Sequence, residues 1–163
     1  MRLGMVVEGI IGAAGKGDRE EARGLCRKLI EGLRTGGELT PEEGCAAADA
    51  LRNVRAFDSL EELGRELTAR GEARPKVRRL LGQALIERGE IAEALDVLSQ
   101  LRDDEVKGSE EWAEATGLMG RALKDQVLAA PDKTDARTRD VLRRAIARYH
   151  EAYAHDPGKV WQG

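Results

Sequence analysis

The fold of this chain is decided by the stretch from Leu81 to Leu101, which reads LGQALIERGEIAEALDVLSQL. Apolar residues recur at three- and four-residue spacing on both sides of Gly89, and this is the period of an α-helix. Gly89 is a natural turn between two helices. Gly82 allows the first helix to approach its partner closely, and Ala94 is the small contact on the second helix. The stretch therefore predicts two antiparallel helices that form one hairpin.

The same pattern recurs elsewhere in the chain at an offset of 34 residues. The matched pairs are Ala48 with Gly82, Leu51 with Leu85, Gly64 with Leu98, and Leu67 with Leu101. A last copy carries an insertion of 13 residues, predicted around 131–138, because Gly120 and Ala145 are 25 residues apart where Gly82 and Ala94 are 12 apart. A fixed period of this kind is typical of helical-repeat proteins, and the unit resembles the 34-residue tetratricopeptide repeat. The alternative is a generic antiparallel bundle whose small residues coincide by chance.

Start and stop signals divide the chain into eight predicted helices joined by short connections. They pair as hairpins over residues 2–35, 41–70, 75–102 and 109–155. The predicted N-caps are Asp18, Thr40 with Pro41 and Glu43 after it, Asp58 or Ser59, and Ser109. Short links place successive helices antiparallel. We therefore expect an all-α fold, with tetratricopeptide-like hairpins stacked as a short right-handed solenoid. This would be a single domain over residues 1–163, compatible with the N-terminal part of a longer protein.

The composition supports helices and narrows the classes of partner. Aromatic residues make up only 3% of the 163 residues, which argues against a β-sandwich or barrel. Basic and acidic residues number 27 and 30, so the chain has no overall basic surplus for nucleic acid. The apolar run from Leu3 to Ala14 is interrupted by Glu8 and is shorter than the roughly 20 residues of a membrane-spanning helix. Two cysteines build no disulfide framework, so we predict a reduced, cytoplasmic location without membrane contact.

Residues that carry catalytic or metal chemistry are scarce. His150 and His155 are five residues apart, whereas two zinc ligands on one helix are four apart. Cys26 lies on an apolar helix face and indicates a small core residue, and Cys45 has no histidine close in sequence to activate it. The glycine-rich segment 12–17 lacks the spacing of a phosphate-binding loop. We therefore predict that the protein is not an enzyme and has no metal and no cofactor. The alternative is a small helical enzyme or ligand-binding bundle.

The C-terminal third carries a more specific pattern. GLMGRALKD over residues 117–125 is followed by AIARYHEAY over 145–153, by Asp156-Pro157 and by VWQG over 160–163. This pattern resembles the divergent tetratricopeptide region in the TRAF-binding part of apoptosis-signal-regulating kinases, and related bacterial domains that accompany peptidases and other effectors. The resemblance implies a regulatory or scaffolding module of a bacterial signalling or defence protein, with no catalytic residue to transfer.

In a tetratricopeptide array, the first helix of each hairpin lines a concave groove that receives a partner. The predicted groove-facing residues are Lys76, Arg79, Gln83 and Ile86 on the fifth helix and Glu114, Gly117, Arg121, Lys124 and Asp125 on the seventh. Basic residues in a concave surface concentrate positive potential. The candidate contacts for an acidic peptide or a C-terminal carboxylate are therefore Lys76, Arg79, Gln83, Arg121 and Lys124. The alternative is a solvated helix face.

Two further features lie near the C-terminus. A basic stripe makes nucleic-acid binding a further alternative, although no aromatic residues interleave with it; it comprises Arg137, Arg139, Arg143, Arg144 and Arg148. Trp161 is predicted to pack on the eighth helix or to dock a following helix, a partner or a neighbouring effector domain. Because a repeat array needs a polar cap and none is evident here, we also expect that this end favours self-association.

Overall fold

The computed structural model describes residues 2–155, 157 and 158, and these residues form eight α-helices. The helices are α1 (Gly4–Gly15), α2 (Arg19–Arg34), α3 (Pro41–Asn53), α4 (Phe57–Ala69), α5 (Pro75–Glu87), α6 (Ile91–Asp104), α7 (Glu110–Ala129) and α8 (Ala136–His155). Within the described residues, β-structure is limited to one isolated bridge between Arg2 and Glu38. The prediction of an all-α fold with eight helices is confirmed.

The chain divides into two compact units, Met1–Arg88 and Gly89–Gly163. The boundary falls at the turn before α6, inside the predicted hairpin 75–102. The single-domain organisation and the hairpin boundaries of the whole chain stay predictions.

In the first unit, α1, α3 and α5 form one layer, and α2 and α4 form the other. α1 contacts α2 and α3, α3 contacts α4 and α5, and α4 contacts α2 and α5. Each helix of a hairpin thus packs on its partner and on the next hairpin, as in tetratricopeptide repeats. The core between the layers includes the fully buried side chains of Ile10, Leu29, Leu51, Leu60 and Leu80. Burying a side chain of this size stabilises the fold by about 1.5–3 kcal/mol.

Local hydrogen bonds explain where several helices begin. The Thr40 hydroxyl accepts a hydrogen bond from the Glu43 amide at 3.1 Å, and the Glu43 carboxylate accepts one from the Thr40 amide at 2.7 Å. This reciprocal pair is the capping box that the sequence predicts. Asp18 caps α2 and Ser109 caps α7 through the same kind of side-chain acceptor. These three predicted caps are confirmed.

The predicted cap of α4 is wrong. The helix begins at Phe57, one residue before Asp58, and its N-cap Ala56 makes no side-chain cap hydrogen bond. The Asp58 carboxylate instead accepts a hydrogen bond from Arg23 on α2 at 3.1 Å. Ser59 is buried, and its carbonyl oxygen lies 3.6 Å from the Cys26 thiol. Both residues therefore lie inside the first turn of α4, and the Asp58 carboxylate binds the preceding hairpin instead of capping the helix.

Arginine side chains connect successive hairpins of the first unit. Arg34 pairs with Glu66 at 2.9 Å, Arg19 donates to the Val54 carbonyl at 2.8 Å, and Arg70 donates to the Leu33 carbonyl at 2.9 Å. All three contacts join residues between 32 and 37 positions apart, which is close to one repeat. These contacts fix one hairpin against the next at the rim of the apolar core.

In the second unit, α7 contacts both α6 and α8. Gly120 and α8 approach closely, because a Cβ atom at Gly120 would lie 3.2 Å from the Tyr149 ring and 3.4 Å from the Ala145 carbonyl oxygen. The predicted place of the insertion, around 131–138, needs correction. α7 and α8 have 20 residues each, against 13 in α5 and 14 in α6, so the added residues mainly lengthen the two helices. Once a helix has formed, each further residue adds one backbone hydrogen bond, so the added residues extend α7 and α8.

Across the part of the chain that the structure describes, no helix has both the length and the apolar character needed to cross a membrane.

Candidate partner-binding surfaces

The first candidate surface lies on α5, in the layer that also holds α1 and α3. Its N-cap Arg74 makes no side-chain cap hydrogen bond, and its first turn carries no acidic residue. The Lys76 ammonium group pairs with the Asp49 carboxylate on α3, and Arg52 lies 3.4 Å from the same carboxylate. Lys76 is therefore held by a neighbouring helix, and its charge is partly neutralised there.

Arg79 and Gln83 lie four residues apart on α5, so they share one helix face, and both are partly exposed. Arg79 also interacts with another residue of the chain, so a ligand has to compete with that contact. Ile86, which we predicted to face the groove, is only 4% exposed. Burying this apolar side chain lowers the free energy more than exposing it to solvent, so Ile86 belongs to the core and does not line a groove. The candidate surface on α5 therefore consists of Lys76, Arg79 and Gln83.

The second candidate surface lies on α7. Arg121, Lys124 and Asp125 are partly exposed, as is Glu114, whereas Gly117 is buried and does not line a groove. Burial raises the pKa of the Tyr149 hydroxyl on α8; the Asp125 carboxylate raises it further and Arg121 lowers it. Both charged residues thus lie near the ring that packs on Gly120. Arg121 also interacts with another residue of the chain.

The five predicted contacts therefore fall on two helices that belong to different units. Lys76, Arg79 and Gln83 are in the first unit, and Arg121 and Lys124 are in the second. Each set is partly exposed on its own helix. A single groove formed by both sets stays a prediction.

Sequence reasoning missed an aromatic and charged cluster in the second unit. The buried Trp112 ring meets the His155 ring edge to face at 4.7 Å, and the Arg102 guanidinium lies 5.1 Å from the Trp112 ring centre. Arg102 also pairs with Glu151 at 2.5 Å. Trp112 on an apolar helix face was the one sequence signal for this cluster. Its partners could not be predicted, because His155 is more than 40 residues away and Arg102 is on another helix.

The charges in this cluster stabilise the ionised form of Glu151. Partial burial by itself raises the pKa of this carboxyl group. Hydrogen bonds and attraction from Arg148 and Arg102 outweigh burial, so the pKa lies below its ordinary value. The cluster joins α6, α7 and α8 and is best explained as a structural contact within the second unit.

The two cysteines differ in environment. Cys26 is 1% exposed, and burial raises the pKa of its thiol to about 12, as expected for a small core residue. Cys45 is partly exposed; burial raises its pKa although Lys76 and Arg74 act in the opposite direction. Neither thiol is activated as a nucleophile, since a nucleophilic cysteine needs a lowered pKa.

Two other sequence predictions concern metal binding and the C-terminus. Among residues 2–155, 157 and 158, no group of three or more His, Cys, Asp and Glu side chains is arranged to hold a metal ion. Trp161, the predicted docking residue at the C-terminus, lies outside the described residues.

Comparison with known protein families matches residues 53–163 to the family described as Tetratricopeptide Repeats-Sensor. The match begins just before α4 and includes all later helices. No curated protein matches the sequence.

Proposed function

Because the chain belongs to the Tetratricopeptide Repeats-Sensor family, we propose that it is a non-catalytic module that binds a protein partner and regulates or scaffolds it. Repeats of the tetratricopeptide type generally serve protein–protein interaction. The family match is the observation that carries this proposal. The layered packing of α1, α3 and α5 supports it, since the helices of such a layer present one continuous face to a partner.

The finer proposal concerns the chemistry of the partner. Lys76 and Arg79 on α5 and Arg121 and Lys124 on α7 are partly exposed cations on the first helices of their hairpins. Such residues select carboxylates, and arginine pairs with them through two parallel hydrogen bonds. The partner is therefore an acidic peptide segment or a C-terminal carboxylate, with Gln83 as a neutral hydrogen-bonding contact.

The context of the module follows from the C-terminal pattern. The GLMGRALKD and AIARYHEAY segments resemble the TRAF-binding tetratricopeptide region of apoptosis-signal-regulating kinases and related bacterial domains. On that resemblance, the chain acts in the cytoplasm of a bacterial signalling or defence system and controls a neighbouring effector domain.

Peptide binding with matched charge reversals tests the proposal. Twelve-residue peptides rich in Asp and Glu, with free or amidated C-termini, are titrated calorimetrically into the wild-type chain and into the Arg79→Glu/Arg121→Glu variant. The control variant Arg27→Glu/Lys28→Glu introduces the same charge change on exposed residues of α2. We expect the first variant to lose at least about tenfold in affinity, which corresponds to about 1.4 kcal/mol of lost charge pairing across the two positions.

The control variant should bind like the wild type, and circular dichroism should show that both variants remain helical. Equal binding by the Arg79→Glu/Arg121→Glu variant would exclude these residues as the contact surface. If the double variant loses affinity, the single variants Arg79→Glu and Arg121→Glu show whether the contacts lie on α5, on α7 or on both.

A further inference from the structure

An exposed apolar stripe runs along α8. Leu142, Ile146 and Tyr153 are 42%, 59% and 54% exposed. At 100° per residue, the three side chains leave the helix within an arc of about 40°. A shallow groove of about 590 Å³ lies beside the stripe, lined in part by Ile146, Ala147 and Ala154. Scattered apolar residues on a surface are ordinary, but three on one helix face form a patch that a partner can cover.

Two other sides of α8 are occupied within the second unit. Ala145 and Tyr149 face α7, where they meet Gly120. Glu151 faces α6, where it pairs with Arg102. The stripe lies about 140–180° around the helix from Glu151. It is therefore on the side of α8 that faces away from α6.

The first unit shows what such a helix side does elsewhere in this repeat. Gly64 of α4 and Tyr149 of α8 hold the same place in the repeat, because both correspond to Leu98. Counting from there, Glu61 corresponds to Ile146, and Glu66 corresponds to Glu151. Glu66 pairs with Arg34 of α2, just as Glu151 pairs with Arg102 of α6.

In α4, the position that matches Ile146 contacts the following helix, because Glu61 pairs with Arg88 at the end of α5 at 2.5 Å. Gly64, which matches Tyr149, also meets α5, since a Cβ atom there would lie 3.0 Å from the Cβ of Leu81. The stripe of α8 therefore stands where a repeat of this kind places another helix. Its large apolar residues suit that role better than Glu61 does, since they gain free energy from burial.

The charges beside the stripe define the occupant. Arg139, Arg143 and His150 are exposed and follow one edge of the stripe. A second copy of α8 would bring the same arginines together, and like charges in contact oppose association. An acidic helix has the complementary charge. Nucleic acid is the weaker match, because three large apolar side chains occupy the centre of the surface and Arg148 is already paired with Glu151.

We propose that the Leu142–Ile146–Tyr153 face of α8 docks an amphipathic α-helix of a partner protein, with its apolar side on the stripe and carboxylates over Arg139 and Arg143. These residues differ from the α5 and α7 contacts of the proposed function. The surface is thus a second docking site on the same chain. Helix-in-groove recognition of this kind is read by apolar residues at helical spacing.

A display library of 20-residue helical peptides, with residues varied along one face, tests the proposal on the full chain. We expect selected peptides to carry apolar residues at three- and four-residue spacing beside Asp or Glu. Binding of synthetic copies is measured by fluorescence anisotropy. Ile146→Glu should weaken it at least tenfold, and so should Arg139→Glu/Arg143→Glu. Replacing the peptide carboxylates by lysine should restore binding to the latter variant.

Matched controls separate this site from others. Leu128→Glu changes an apolar residue of α7 that is 64% exposed and should leave peptide affinity within about twofold of wild type. Arg79→Glu/Arg121→Glu should do the same, so the failure of one site leaves the other measurable. Far-ultraviolet circular dichroism of each variant should match the wild type.

Four results would overturn the proposal. They are a library that yields no binding peptide, binding that survives Ile146→Glu, equal weakening by Leu128→Glu, and sedimentation showing that Ile146→Glu converts a dimer of the free protein to a monomer. Selection of basic peptides or preferential binding to anionic phosphatidylserine vesicles through the same residues would likewise assign the face to a different partner.

Discussion

Gly64 of α4 leaves no room for a side chain beside Leu81 of α5. A Cβ atom at Gly64 would lie 3.0 Å from the Leu81 Cβ, an atom attached directly to the backbone of α5. Neither atom can rotate away, so any larger residue has to separate the two helices. This contact sets the distance between the second hairpin and the helix that follows it.

We predict that Gly64→Ala destabilises the protein by about 1–2 kcal/mol, although alanine favours helix more than glycine does. The cost of overpacking, about 1–3 kcal/mol, exceeds the propensity gain of up to about 1 kcal/mol. Gly12→Ala is the matched control, because nothing lies within 4 Å of a Cβ atom at Gly12 in α1. Gly12→Ala should raise the free energy of unfolding in urea by about 0.5–1 kcal/mol. If both variants changed stability in the same direction, the close contact would not control the packing.

Arg55 is in a backbone conformation that is unfavourable for a side chain. Its φ is 57°, while the other turns with positive φ use glycine, as at Gly71 and Gly89. Removing the Cβ atom relieves about 1 kcal/mol of strain. The Arg55 guanidinium also lies 5.5 Å from the Phe57 ring centre and 3.8 Å from Glu87, contacts that any truncation loses.

Arg55→Gly and Arg55→Ala both remove these side-chain contacts, so their difference isolates the backbone. We predict that the free energy of unfolding of Arg55→Gly exceeds that of Arg55→Ala by about 1 kcal/mol. Chemical denaturation of both variants measures this difference. Equal stabilities would mean that the turn at residue 55 has relaxed to another conformation.

The pair of Arg102 and Glu151 should contribute to the stability of the second unit. Their side chains are 19% and 27% exposed, so the pair lies between an exposed and a buried salt bridge. A double-mutant cycle with Arg102→Met and Glu151→Gln should give a coupling energy of about 1–2 kcal/mol. Coupling near zero would show that solvent fully screens the pair.

The same pair predicts a pH dependence with a definite sign. The folded-state pKa of Glu151 is lowered from 4.5, so its ionised form is stabilised by folding. The stability difference between wild type and Glu151→Gln should be complete above the unfolded-state pKa and should be lost as pH falls through the lower folded-state pKa. Thermal unfolding between pH 3 and 7, roughly the range around the ordinary Glu pKa, measures it. A difference that grows below pH 4.5 would contradict the assignment.

The two thiols should react at different rates. Cys26 is buried with a pKa of about 12, whereas Cys45 is partly exposed. A thiol reagent such as dithionitrobenzoate should label Cys45 in the native chain and Cys26 only after unfolding in urea. Cys45→Ser removes the native reaction and Cys26→Ser leaves it. Rapid native labelling of the Cys45→Ser variant would show that the first unit opens at Cys26.

Local signals explain why much of the fold could be predicted from the sequence. The Thr40 cap depends only on Pro41 and Glu43, which are its neighbours in the chain, and the period of 34 residues aligns Gly64 with Leu98 from the sequence alone. The α4 cap failed for the opposite reason. Asp58 has a distant partner in Arg23, and that partner outweighs its local preference.

The candidate surfaces were less predictable. Lys76, Arg79 and Gln83 could be placed on one helix face by spacing alone, but the pairing of Lys76 with Asp49 and the burial of Ile86 depend on neighbouring helices. The exposed stripe on α8 could not be predicted from the sequence either, because Leu142, Ile146 and Tyr153 have the spacing of core residues. Only the positions of α6 and α7 show that they face away from the unit.

The sequence by itself determined the eight helices, their main turns and the class of repeat, because helical period, capping residues and turn glycines act over a few residues. The tertiary structure decided which side of each helix is covered. It paired Arg102 with Glu151, placed His155 against Trp112 and left the α8 stripe open. These relationships depend on packing between helices that are distant in sequence, where burial and charge pairing are decided by the neighbours that each side chain meets.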